Sequence, residues 1–287
     1  MKNLTWQNPE QLFVAQELIN KVKSKCCGIK DKVITYANKV IKTPGVELED
    51  SYETLWGYDE TTMDCLKRNT KEGILEVHWT TGSGNWETWM FGRQLDNWDY
   101  YFTWAKWITP SRDIISDFEK EGDEVRKNQA IVYYACTWSN YYPASNYPFM
   151  YKLRSSYNNI YWIRLADIIL MKAEAEAYKG NLDESAKLVN QIRKRAKLKE
   201  LTSDKTNSKE AMIEAVLHER RLELAFEGER WFDLCRNNKV EKYLNGIDNR
   251  DNGRIKQVKQ FDSNSYLLPI PQTALDQNTN LEQNPGY

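Results

Sequence analysis

Apolar positions recur at helical spacing in three parts of the chain. In the first, Asn8-Pro9-Glu10-Gln11 reads as a helix start, with a capping Asn, Pro at the first helical position and Gln three residues after the cap. Leu12, Ala15, Ile19 and Val22 then follow at intervals of three and four, the stripe of an amphipathic helix. Lys23–Ile29 breaks the pattern. Asp31 is placed to cap a second helix carrying Val33, Tyr36, Ala37, Val40 and Ile41, ended by Thr43-Pro44-Gly45.

A second helix pair is predicted over 161–198. Ile163, Ala166, Leu170, Ala173 and Ala177 form the outgoing stripe, and Gly180-Asn181 turns the chain. Asp183 is expected to cap the return helix, which buries Leu188, Val189, Ile192 and Ala196. Shifted by 152 residues, Gly28, Asp31, Asn38 and Val40 fall on Gly180, Asp183, Asn190 and Ile192, a partial tetratricopeptide-like repeat. Two further helices are expected. One opens at Thr109-Pro110 with Ile114, Ile115 and Phe118 inward. The other starts near Asn207–Glu210, at capping-box spacing, and carries Ile213, Val216, Leu217 and Leu224 until Gly228 interrupts it. Strand signal is confined to Ile74–Thr80, which alternates, and the tail from Ser263 reads as loop.

Composition narrows the function classes. With 40 basic and 41 acidic residues the net charge is −1, which argues against a nucleic-acid binder. Cys26, Cys27, Cys65, Cys136 and Cys235 form no CxxC pair and there are two His, so a zinc-finger-type metal site is not expected, and no cofactor is implied. No phosphate-cradling Gly loop or nucleophile motif is present. Met1-Lys-Asn-Leu-Thr-Trp6 offers no apolar h-region, and no apolar run reaches the roughly 20 residues of a membrane span.

The aromatic content, 11 Trp and 17 Tyr, is concentrated instead. Residues 79–107 hold ten aromatics in 29 positions, interleaved with Gly, Asn and Asp and following neither the helical nor the strand period. Indole faces stack on the C–H faces of sugar rings, and Asn and Asp answer hydroxyls. The candidate ligand residues are therefore Trp86, Trp89, Trp98, Asn85, Asn97, Asp99 and Tyr100, with Tyr141 and Tyr142 of a second aromatic tract, Trp138–Pro148, as an opposing wall. The competing expectation is that most of these rings fill a core. Asp96 and Asp99, or Glu87, are the carboxylates that suggest a glycosidase pair, and nothing in the sequence fixes their separation. The carboxylates of Glu219, Glu223 and Glu227, interleaved with Arg220 and Arg221, read as a structural ion-pair network rather than an acid–base pair.

Three strings near the C-terminus carry a family resemblance. Glu219-Arg-Arg-Leu-Glu-Leu-Ala-Phe-Glu-Gly-Glu-Arg-Trp-Phe-Asp-Leu234, Leu268-Pro-Ile-Pro271 and Gln283-Asn-Pro-Gly-Tyr287 resemble, in this order, the C-terminal half of the SusD/RagB family. Tyr161–Ala175 and Gln191–Leu198 resemble its core helix pair. The resemblance implies an all-α fold of tetratricopeptide-like helix pairs beside an irregular, loop-rich ligand-binding region. The chain then divides into a helix pair and following segment (1–80), an aromatic loop-rich insertion (81–150) and the C-terminal helical region (151–287). It further implies a non-enzymatic protein that captures a glycan, or in some members a peptide, and delivers it to a SusC-type TonB-dependent transporter, held on the outer leaflet of the outer membrane by an N-terminal lipid. The lipid-bearing Cys, the export signal and the first helix pairs of the family have no match in this sequence. A helical-repeat scaffold for protein partners is the remaining alternative.

Overall fold

The computed structural model describes residues 30–59, 61–62, 64–79, 109–135, 142–143, 145–154, 157–250 and 259–287. The first predicted helix, over 9–22, lies outside them. Two compact units are present, Met1–Arg230 and Trp231–Tyr287.

The first unit is built on helix pairs, as the periodicity and the resemblance imply. Helix α1, Lys30–Ile41, buries Val33, Ala37 and Val40, and the one-turn helix α2, Glu53–Trp56, follows it. Strand β1 is Gly73–Val77, helices α3 and α4 are Arg112–Glu121 and Glu124–Ala130, and strands β2, β3 and β4 are Ile131–Tyr134, Tyr147–Met150 and Ile160–Arg164. Helices α5, Leu165–Lys179, and α6, Leu182–Arg195, make the predicted hairpin; a single turn, α7 (Ser203–Thr206), leads into α8, Lys209–Glu223. Helix α5 is buried on nearly all sides because α1, α6 and α8 all pack on it. Small residues make that possible: Ala166, Ala173 and Ala177 are fully buried, and Ser185 of α6 donates its hydroxyl to the Ala173 carbonyl at 2.8 Å. Gly180 ends α5 with φ +86°, so that its N–H and that of Asn181 return to the carbonyls of Ala177 and Glu176. A Cβ would be strained in that conformation, which is why the turn takes glycine.

The local signals were misplaced by a residue or two at several helix starts. Asn181, not Asp183, holds the N-cap position of α6, and Asp183 lies in its first turn. Ser111 caps α3 by accepting from Ile114 N, leaving Pro110 outside the helix. Ser208 caps α8 by accepting from Ala211 N, so no capping box forms with Glu210. The larger correction concerns strands. Residues 160–164 are strand rather than the first turn of the helix, antiparallel to β1, while β2 pairs antiparallel with β3. In the tail, Ser263–Tyr266 is a 3-10 turn and Gln272–Gln277 a short helix rather than plain loop.

The same unit encloses a dense ionic network, as the sequence suggested. Glu223, at the end of α8, is fully buried. Its carboxylate pairs with Arg164 at 2.6 Å, Arg126 at 3.2 Å and Arg195. Its carbonyl, one of those a helix end leaves unpaired, accepts from Tyr52 Oη (2.8 Å), Lys152 Nζ (3.1 Å) and Arg164 Nη2 (2.8 Å). Arg164 also grips Glu227 through two nitrogens (2.7 and 2.8 Å) and reaches Glu72 at 2.7 Å. Glu219 joins Arg126 at 2.7 Å and Arg193 at 3.0 Å. Burial alone would favour neutral Glu223, but the three guanidiniums outweigh it and hold the carboxyl well below the usual range. Burial pushes Lys152 down to about 8, against the pull of Glu227.

In the second unit, α9 (Arg230–Arg236), α10 (Val240–Leu244) and α11 (Ile247–Arg250) precede the 3-10 turn and helix α12, Gln272–Gln277. Leu234 and Val240 are fully buried, and the Gln283 side chain pairs with both N and O of Ile270, at 2.8 and 2.9 Å.

Replacing Glu223 by Ala leaves three buried guanidiniums short of an acceptor and should cost about 3–5 kcal/mol. Urea unfolding at neutral pH measures it; a loss under about 1 kcal/mol would mean the network is not supporting the fold. The pH dependence has two arms. Glu121, Glu223 and Glu227 have folded pKa values below the 4.5 of a free Glu, so their contribution is complete above that pH and lost as pH falls through the folded values. Asp123, pushed up by burial, acts in the opposite sense, and three lowered carboxyls outweigh it. Lys152 lies below its ordinary 10.5, so the unfolded chain binds more protons between pH 8 and 10.5. This group therefore favours folding as pH rises through that window. Melting scans at pH 3 to 7 should show the acid loss.

Candidate functional site

Trp86, Trp89, Trp98, Asn85, Asn97, Asp99 and Tyr100 lie outside the described residues, as do Tyr141 and the carboxylates Asp96 and Glu87 of the hydrolase alternative. What the structure describes is the frame on which the two aromatic tracts are rooted.

The first tract leaves the frame at the end of β1. Glu76 is the organising side chain there. Its Oε1 accepts from Thr70 N at 2.9 Å and Oγ1 at 2.5 Å, and its Oε2 from Asn69 N at 3.1 Å. Oε2 also lies 2.8 Å from His78 Nε2 and 3.4 Å from Asn159 Nδ2. One buried carboxylate thus fixes the turn before β1, β1 itself and the approach to β4. Arg68, paired with Asp64, donates to the Trp79 carbonyl at 2.6 Å and pins the first residue of the tract.

The tract rejoins the frame at Thr109 and Pro110, and the second tract is tied to the same place. The hydroxyls of Thr109 and Tyr147 lie 2.7 Å apart, and Tyr142 Oη donates to the Pro110 carbonyl at 2.7 Å. Arg112 stacks over the Tyr142 ring at 4.6 Å. Tyr147 opens β3 and pairs with Tyr134, the last residue of β2, so the ends of the second tract are held together by the ladder. Two stretches about 40 residues apart in sequence therefore share one anchor, a juxtaposition that neither tract's composition reveals.

Tyr142 belongs to that anchor. It is 8% exposed, its hydroxyl is engaged and its ring meets Tyr147 edge-on at 5.6 Å, so it packs in the core with Phe149 and Ile115 rather than on a groove wall. Its sequence setting, Tyr-Tyr-Pro, is equally that of a surface loop, and only the pairing with Pro110 decides between the two. Trp162, which falls inside the predicted helix pair over 161–198 but outside its apolar stripe, is 66% exposed on β4.

Chemistry at the remaining titratable groups is constrained. Glu219 and Glu223, one helical turn apart, are both fully buried against arginines, and the strongly lowered pKa of Glu223 removes it as a general acid. Burial pushes the Cys65 thiol up to about 11, away from the thiolate a nucleophile needs. Among the described residues no group of three or more His, Cys, Asp and Glu is placed to hold a metal ion, and no helix is long and apolar enough to cross a membrane.

The helix-pair frame matches known proteins. The model of the SusD family matches residues 133–287, more than half of the chain. The chain belongs to the SusD family. SusD-like protein P38 of Formosa agariphila is 36% identical over 135 residues, 45% of this chain and 25% of the relative. The fold is that of a SusD superfamily protein from Bacteroides vulgatus, with a TM-score of 0.74 at 22% identity over 100% of this chain and 64% of that one. It is also that of surface glycan-binding protein A from Bacteroides thetaiotaomicron in complex with laminarihexaose, with a TM-score of 0.65 at 18% identity over 96% of this chain and 62% of that one. The chain thus spans a quarter of the length of its Formosa relative and just under two thirds of these solved structures.

The anchor role of Tyr142 is testable. Tyr142→Phe removes one buried hydrogen bond and should cost about 1 kcal/mol, while Tyr142→Ala should cost about 3–5 kcal/mol. A Tyr142→Ala protein with wild-type thermal stability and selectively lost ligand binding would return Tyr142 to the ligand wall.

Proposed function

We propose that this chain binds an extracellular glycan through aromatic side chains of 79–107, without catalysing its hydrolysis. Membership of the SusD family carries the reading. The common anchor of the two aromatic tracts supports it, because ligand-stacking rings on loops need a rigid base to limit the entropy lost on binding. Surface glycan-binding protein A, a protein of this fold, is in complex with laminarihexaose. Trp86, Trp89 and Trp98 supply the stacking faces, while Asn85, Asn97, Asp99 and Tyr100 answer hydroxyls, with Tyr141 of the second tract beside them. In the cell the bound glycan would pass to a SusC-type TonB-dependent transporter, and the protein would act at the outer face of the outer membrane, held by a lipid.

Affinity electrophoresis through gels containing different polysaccharides tests the proposal. One polysaccharide should retard the wild-type chain, and Trp86→Ala, Trp89→Ala or Trp98→Ala should each weaken retardation with the melting temperature unchanged. Loss of the melting transition in these variants would make the rings core. Turnover of the polysaccharide that disappears in Asp96→Asn or Asp99→Asn would overturn the non-catalytic reading. No retardation of the folded protein by any polysaccharide would overturn the glycan reading.

A further inference from the structure

Trp162 is the most exposed aromatic side chain among the described residues, and its position in the β1–β4 ribbon is irregular. Val77 pairs with Ile160 and Glu76 with Tyr161, but the next pair is Leu75 with Ile163. Trp162 therefore has no partner on β1; it is the extra residue of a bulge, and Ile74 is skipped in turn before Gly73 meets Arg164. A bulge re-aims one side chain at a local cost in ladder pairing, and such bulges gather beside functional sites.

Everything around this residue is fixed. Tyr161 is buried edge-on against Trp56 at 5.1 Å, Ile163 is 2% exposed in the main core, and Arg164 is locked by Glu72, Glu223 and Glu227. The backbone on both sides of Trp162 is thus held by the two strongest features of the fold, while the indole is turned outward. Indole is usually largely buried, and an exposed ring on a rigid backbone presents a flat apolar face that loses little freedom on contact. Half-buried Ile160 and Val77 flank it along the ribbon. The same ribbon leads into the first aromatic tract: from Glu76, beside the bulge, to Trp79 is three residues, roughly 10 Å of extended chain.

We infer that Trp162 is a stacking platform for a sugar ring, an additional contact for a glycan chain that continues past the root of the 79–107 tract. The occupant is a pyranose unit presenting its C–H face to the indole. The inference rests on the glycan-binding reading and deepens it by extending the site onto the ribbon.

The polysaccharide that retards the wild-type chain serves as the probe, with retardation measured across a concentration series for Trp162→Ala and Trp162→Phe. Trp162→Ala should bind about tenfold more weakly with an unchanged melting temperature, and Trp162→Phe should recover part of the loss. In protein labelled with 5-fluorotryptophan, the ¹⁹F resonance absent from Trp162→Phe should move as an oligosaccharide of that polymer is titrated. Wild-type retardation by Trp162→Ala, with that resonance unmoved, overturns the inference and leaves the glycan reading standing. A lowered melting temperature in Trp162→Ala marks a structural ring and likewise overturns it. No retardation of the folded wild type by any polysaccharide overturns both.

Discussion

The end of α8 is where the first unit is fastened. A helix C-terminus concentrates negative potential and leaves carbonyls without partners. Here Glu223 adds a carboxylate at that point, and the chain answers with Arg126, Arg164, Arg195, Lys152 and the Tyr52 hydroxyl. These groups come from α4, the end of β4, the end of α6, the segment after β3, and the residue that precedes α2. Apolar packing brings α1, α5, α6 and α8 together without choosing among neighbouring registers. The guanidinium forks accept few geometries, so they fix how the helices, the ribbon and the segments leading to the aromatic tracts are set against one another.

That arrangement explains why irregular segments can be held firmly. The β1–β4 and β2–β3 pairs are only two strands each, and such ribbons are marginal by themselves. Each gains its fixity from side chains at its ends: Arg164 at one, Glu76 at another, and Tyr147 with Tyr142 at the start of β3. Ionic and hydroxyl contacts do here what additional strands do in a larger sheet. The segments they secure are those that enter and leave the aromatic tracts.

The helix pairs were legible in the sequence because their information is local: a stripe at intervals of three and four, and a glycine that must adopt positive φ at position 180. The ion-pair reading of Glu219, Glu223 and Glu227 was legible for a related reason, since many charges on an otherwise apolar helix must find partners. The partners themselves were not. Glu72 and Arg164 lie 92 residues apart, and no period connects them. The ribbon was missed on the same ground. Residues 160–164 are apolar, β-branched and aromatic, a run too short to separate strand from buried helix, and pairing with β1 decides it. Cap positions failed by one or two residues because adjacent Asn, Asp and Ser compete for the same role. At the candidate site, aromatic density singled out two segments but could not sort candidate ligand rings from anchors. Tyr142 leaves its expected place on a groove wall because its burial depends on a distant residue, Pro110.

The family match and the ionic network divide the chain in an informative way. The matched residues, 133–287, contain Lys152, Arg164, Arg193, Arg195, Glu219, Glu223 and Glu227. Their counterparts Tyr52, Glu72, Asp123 and Arg126 lie before it, as do Glu76 and the whole first tract. The network therefore joins the part of the chain that the family model matches to the part that precedes it. The preceding part supplies Tyr52, Glu72, Asp123 and Arg126, without which the buried charges of the matched part would be short of partners. Burial of the ion pairs sets the residues that hold the frame apart from the outward face of the ribbon. Under the proposed glycan-binding function, substitutions in the aromatic tracts would act on ligand choice, whereas those reaching Glu223 act on whether the frame exists to present them.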